Sequence, residues 1–137
     1  MNRRHVMTHG SALLIALASG SVVEAASQQQ LPVDEKLIDA AVECAKRGEI
    51  CSAHCTTLLE QGDRSLAECQ RRVDETVAVC QTLASLAAQG SPLMPRMAAL
   101  VVDACNACEK ECLEHKEHAV CKACADACSH ARASASA

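Results

Sequence analysis

The chain has 137 residues, enough for one domain, with a formal charge of −4, no Phe, Tyr or Trp, and 11 Cys. The acidic balance excludes the basic face that nucleic-acid binding needs, and the missing aromatics exclude a stacking platform for bases. A core without aromatics must be built from Leu, Val, Ile, Ala, Met and Cys, which favours packed helices over sheet.

The first segment reads as a leader rather than as part of the fold. Met1-Asn2-Arg3-Arg4 is a basic start with paired arginines, and Ser11 to Ser19 is an apolar run too short to span a bilayer. Small residues at Val23-Glu24-Ala25 offer a cleavage site before Ala26. Residues 1–25 therefore form a cleavable export leader, and the Arg pair suggests the twin-arginine route, so the expected location is periplasmic or otherwise exported. After its removal nothing calls for a membrane. Residues 26–33 follow as a polar linker.

Four helical segments come next, over residues 34–132. The first starts after Pro32, carries Asp34 and Glu35 in its first turn, and stops at Gly62. The second starts at Asp63 or Ser65, where Ser65 and Glu68 have the form of a capping box, and stops at Gly90. The third takes Ser91 as its cap and Pro92 as its first residue, and runs to about His115. A turn from His115 to His118 leads into the fourth, which ends near Arg132 and leaves 133–137 as a flexible tail.

Each segment carries one stripe with steps of three and four. The stripes are Leu37, Ala41, Cys44, Gly48, Cys51, Cys55, Leu58; Leu66, Cys69, Val73, Thr76, Cys80, Leu83, Ala87; Met94, Ala98, Val101, Cys105, Cys108, Cys112, His115; and Cys121, Cys124, Cys128, Ala131. Every cysteine falls on a stripe, which is the seam of a bundle helix. Short connections make neighbours antiparallel, so the expected fold is all-α, an up-down-up-down four-helix bundle with a cysteine-lined core.

Cysteines in an exported chain usually pair as disulfides, but eleven is odd. The CxxxC pairs Cys51/Cys55, Cys108/Cys112 and Cys124/Cys128 lie on helices, where such residues hold their Cβ atoms roughly 5–6 Å apart. A disulfide needs about 3.8 Å. Two sulfurs so spaced suit a soft ion between them, and Cu(I) selects thiolates. Zinc and iron–sulfur clusters want four ligands in arrangements that a linear stripe does not supply. The tighter steps Cys105/Cys108 and Cys121/Cys124 extend the same arrays. Cys44, Cys69 and Cys80 lack such a partner on their own helix and either bind metal across helices or pack. Met94 and Met97 read as core filler. His54, at the seam's edge, is either a ligand at the entrance or a surface residue. His115 and His118 read as solvated, His130 has no distinguishing feature, and Glu109, Lys110, Glu111 and Glu114 read as solvated helix surface.

The stretches Glu43 to Cys55 (ECAKRGEICSAHC), Ala104 to Cys112 (ACNACEKEC) and Cys121 to Cys128 (CKACADAC) resemble the four-helix-bundle copper storage proteins. The GSPLMP turn at Gly90 and the paired arginines are similar to the exported branch of that family. The resemblance covers about residues 34–132. It implies that Cys44, Cys51, Cys55, Cys69, Cys80, Cys105, Cys108, Cys112, Cys121, Cys124 and Cys128 ligate multiple Cu(I) ions, with His54 a ligand near the open end, and that the chain is a homo-tetramer. Two departures stand out. Ala131 and Ala135 occupy places where exported relatives carry further cysteines, which implies a lower capacity. Leu58, Gln61 and Leu66 occupy places where relatives can have methionines at the entrance, which puts a methionine-assisted route in doubt.

The sequence thus points to a store of several Cu(I) ions outside the cytoplasm, and leaves open whether it detoxifies copper or supplies it to an unknown copper-accepting protein. It does not point to an enzyme, since no nucleophile–base arrangement or substrate cleft is visible. The competing readings are a disulfide-stabilised or thiol-redox structural protein and an enzyme carrying an iron–sulfur cluster.

Overall fold

The computed structural model describes residues 32–137; the leader expected over 1–25 and most of the linker lie outside the described residues. Four helices follow in order, α1 (Glu35–Glu60), α2 (Ala67–Ala88), α3 (Met94–Glu114) and α4 (Ala119–Ala135), with no strand among the described residues. Each helix packs against two neighbours, α1 on α2 and α4, α3 on α2 and α4, so the four stand in a square with antiparallel sides. This is the four-helix bundle that the stripes imply.

The ends of the helices show what local chemistry decides. Asp34 caps α1, its Oδ1 accepting from Leu37 N at 3.0 Å. Both α1 and α2 end in a left-handed glycine, Gly62 at φ 89° and Gly90 at φ 60°. Asp63 N then donates to Leu58 O and Ser91 N to Leu86 O, each at 3.0 Å, which satisfies carbonyls the last turn would leave open. Other ends depart from expectation. The capping box at Ser65 does not form: α2 starts at Ala67, and Asp63 Oδ1 accepts from Ser65 N instead. Glu68 is engaged by Arg71 and Arg72, so it does not reach back to cap the turn. Ser91 to Leu93 form a turn, with Ser91 Oγ accepting from Leu93 N, and α3 begins at Met94 with Pro95, not Pro92, in its first turn. Helix α4 runs on past Arg132 to Ala135, into the expected tail, and Ser136 Oγ donates to Arg132 O at 2.8 Å.

The core follows the four stripes. Leu37, Leu66, Leu83, Val73 and Val101 are buried with all eleven cysteines, whose exposure is zero. Thr76 is the buried polar residue of the core; its Oγ1 donates to Arg72 O at 2.9 Å and lies 3.3 Å from Ala104 O, so its hydroxyl is satisfied. Outside, ion pairs such as Lys122–Asp126 and Arg47–Glu43 line exposed faces, where solvent screening leaves each of them little weight. Glu109, read from sequence as free surface, ties α3 to α4 through Arg132 at 2.8 Å.

Gly48 sets the approach of α1 to α2. A Cβ placed there would collide with Cγ2 of Val77 and touch Cγ1 of Val73 at 3.6 Å. Val77 is β-branched and buried, so it cannot swing aside cheaply. At an open helical site Gly→Ala gains about 1 kcal/mol. Here overpacking costs about 1–3 kcal/mol. Gly48→Ala is therefore expected to lower the urea midpoint of the copper-free protein, and a raised midpoint would contradict the close packing.

Candidate metal centre

The antiparallel arrangement sorts the seam residues by height. At one end, the floor, the seams of the four helices contribute Leu37, Ala41, Leu83, Ala87, Ala98, Val101 and Ala131, all buried and apolar. At the other end, the mouth, stand the α1 C-terminus, the α2 N-terminus and the turn between α3 and α4. The cysteines fill the length between, because each helix carries its cysteines in the same span of that height.

The sulfurs form four groups, three of them overlapping, within each of which all Sγ atoms lie within 4.8 Å of one another. At the mouth are Cys51, Cys55, Cys69 and Cys121; below them Cys51, Cys112 and Cys124; then Cys108, Cys124 and Cys128; and nearest the floor Cys44, Cys80 and Cys105. Successive groups share Cys51 and Cys124, and Cys44 joins the lowest group to Cys128 at 3.8 Å. Further sulfur contacts run between helices: Cys69–Cys112 at 3.6 Å, Cys51–Cys121 at 3.7 Å, Cys44–Cys105 at 3.9 Å and Cys80–Cys105 at 4.0 Å. Along one helix, Cys108 and Cys112 are 3.9 Å apart. Each of the eleven cysteines belongs to a group, and all are free thiols. Cys44, Cys69 and Cys80, which have no CxxxC partner, thus meet other sulfurs across helices.

The electrostatics of such a column are restrictive. Two thiolates about 4 Å apart repel by roughly 4 kcal/mol at an effective dielectric of about 20. Sulfurs in contact therefore divide the roles of thiolate and thiol. Cys44, in contact first with Cys105 and then with Cys128, is held well below the usual thiol range, as is Cys108 beside Cys112 and Cys124. Cys128, against Cys105 and Cys108, and Cys80, against Cys105 and Cys44, are driven up. Burial is the first cause of the rise at Cys121. Cys112 pulls Cys51 down, but Cys124, Cys55 and burial prevail and push it up to about 12. Cys55, pulled down by Cys51, is likewise pushed up to about 12 by Cys69 and burial. Contact with Cys108 raises Cys124, yet Cys112 and Cys128 bring it down to about 6. An empty column thus carries few charges; to ionise further it needs cations among the sulfurs, and a soft monovalent ion matches both the charge and the donor.

The histidines are distributed differently from the sequence reading. His54 is half-buried at the mouth, and its Nε2 lies 3.0 Å from Nδ1 of His118. His118, expected to be solvated, is half-buried against His54; its signal in the sequence is its place one turn before Cys121 on the α4 stripe. His115 lies near Glu111, its Nε2 3.5 Å from that carboxylate. His130 stands away from the sulfurs, in an α1–α4 surface groove with Asp39 and Glu43. Met94 and Met97 pack against the core near the floor, away from the mouth, as filler.

A family model described as copper storage protein matches residues 28–136. An uncharacterized cysteine-rich protein of Bacillus subtilis strain 168 is 35% identical over 93 residues, covering 68% of this chain and 83% of that protein.

The thiol protonation predicts a direction of pH dependence for the copper-free protein. Between the ordinary thiol value of 9.0 and the value of about 12 at Cys51 and Cys55, the folded state keeps protons that the unfolded chain has released. Stability is then lost as the pH rises, by up to about 1.4 kcal/mol per pH unit for each such thiol. The lowered thiols Cys44, Cys108 and Cys124 are ionised in both states across this window and add no opposing slope. Urea midpoints measured without air should fall across the window; a flat or rising midpoint would overturn the protonation pattern.

Proposed function

We propose that this chain, which belongs to the copper storage protein family, binds and stores several Cu(I) ions along its sulfur column, outside the cytoplasm. The single observation that carries the proposal is a continuous run of sulfurs through a fully buried core, three groups that share members and a fourth joined to them by the Cys44–Cys128 contact of 3.8 Å. One group would serve a chaperone or a sensor. Four adjoining groups, three of which share members, serve a store, because neighbouring ions can use a common sulfur and so lower the charge carried per ion. All eleven cysteines act as ligands in this reading, with His54 as a ligand at the mouth.

The fold supports loading without refolding. The copper-free thiols pack as small apolar groups, so the bundle stands before metal arrives. Ions then enter from the mouth, since the floor is closed by apolar side chains and offers no donors except the thioethers of Met94 and Met97. The chain acts as a reservoir, not a catalyst, and passes its copper to an acceptor protein. The paired arginines and apolar run of residues 1–25 support export. None of the described helices is long and apolar enough to cross a membrane. The exposed apolar side chains Val42, Ile50, Leu100 and Leu113 are available for packing between copies in a tetramer.

Titration of the reduced chain with Cu(I), without air and against a competing chelator, is expected to give a stoichiometry well above one per chain. A value near one would sink the storage reading in favour of a chaperone or sensor. Each ion present at about a hundred times its dissociation constant should add roughly 2.7 kcal/mol of stability. Cys44→Ser combined with Cys80→Ser, which dismantles the group nearest the floor, is expected to lower the stoichiometry while the mouth still loads. For export, cell fractionation should find the chain outside the cytoplasm and shortened, and Arg3→Lys with Arg4→Lys should retain it inside; retention of the unaltered chain in the cytoplasm would refute this part.

A further inference from the structure

Two cross-helix pairs are stacked at the mouth. His54 stands three residues after Cys51 on α1, and His118 three residues before Cys121 on α4. Because the two helices are antiparallel, both imidazoles lie on the outer side of both thiols. His54 Nε2 and His118 Nδ1 are 3.0 Å apart, with ring centroids at 4.9 Å, while Cys51 Sγ and Cys121 Sγ are 3.7 Å apart. Three residues of helix advance about 4.5 Å, so less than one turn separates the imidazole pair from the thiol pair.

The two pairs differ in what they prefer. Imidazole accepts Cu(II) as well as softer ions, whereas thiolate selects Cu(I). A cupric ion held by the outer pair therefore sits beside groups that favour its reduced form and can supply the electron. We propose that the mouth is a cupric reduction site: His54 and His118 take up Cu(II), and Cys51 with Cys121 reduces it to the Cu(I) that the column holds. This rests on the storage reading, which supplies the destination of the product.

The step balances without any other reductant. Two cupric ions each accept one electron. The S–H bonds of Cys51 and Cys121 break, one S–S bond forms between them, and two protons leave to solvent. Two cuprous ions result; on this route Cys51 and Cys121 leave the ligand set that a chain loaded directly with Cu(I) would use, and nine of the eleven thiols remain to hold them. The reaction is stoichiometric, since the thiol pair is consumed. The geometry favours this pair among the mouth sulfurs. Closing from 3.7 Å to a bond of about 2.05 Å needs side-chain rotation across two helices. Cys51 and Cys55, on one helix, have Cβ atoms held roughly 5–6 Å apart. Cys69–Cys112 is slightly closer at 3.6 Å, but it joins α2 to α3, neither of which carries His54 or His118.

The test mixes the reduced, copper-free chain with two equivalents of cupric sulfate without air. Loss of the cupric EPR signal is followed, and cystines are then located by peptide mass spectrometry. The expected result is loss of the signal with one disulfide per two ions, at Cys51–Cys121. A persistent signal overturns the proposal, as does a spread of cystines like that formed by the same chain unfolded in guanidinium. His54→Gln with His118→Gln, which keeps polar side chains at the rim, should slow the loss of signal by at least about tenfold; an unchanged rate removes the imidazoles from the scheme. Cu(I) titration in parallel separates the two readings. A chain that takes up Cu(I) yet leaves Cu(II) oxidised refutes reduction alone, and one that takes up no Cu(I) refutes storage.

Discussion

The constraint on which the molecule depends is that soft sulfurs must lie in contact inside an apolar core without carrying their full charge. Contacts of 3.6 to 4.0 Å between thiols are comfortable while most hold their protons. They become repulsive once neighbouring sulfurs ionise. Protonation of most sulfurs keeps the charge of the column low, and a soft cation taking the place of protons would do the same.

That constraint explains the composition of the rest of the core. Sulfur-bearing side chains are small, and a helix seam lined with them leaves little volume for anything bulky. The absence of aromatics and the burial of Ala41, Ala45, Ala125 and Ala131 beside the cysteines follow from this need for close helices. Gly48 takes it furthest, admitting the Val77 methyl where a side chain would stand. Thr76 is the one polar group admitted to the described core, and it is tied to backbone carbonyls, so it leaves no unpaired donor among the sulfurs.

The two ends of the column are chemically distinct. The floor is closed by leucine, valine and alanine. The mouth carries imidazoles beside the largest sulfur group. Antiparallel packing creates this polarity: α1 and α3 bring the ends of their stripes, and α2 and α4 the beginnings of theirs, to the same height. Nitrogen donors thus stand outside sulfur donors at this end of the column.

Much of this was legible in the sequence. Steps of three and four placed every cysteine on a seam, and Gly62 and Gly90 marked two helix ends through the left-handed conformation each adopts. Where the local signals misled, a competing local interaction was responsible. Arg71 and Arg72 drew Glu68 away from Ser65, and Ser91 with Pro92 made a turn before α3 instead of its first residues. By itself, then, the sequence determined the helices, their seams and the chemical nature of the core, because periodicity and capping act within a few residues. Only the tertiary structure decided which sulfurs meet, that Cys44, Cys69 and Cys80 find partners across helices, and that His118 faces His54. Those contacts join residues dozens of positions apart, and they depend on the height and rotation of one helix against another, which no single stripe encodes.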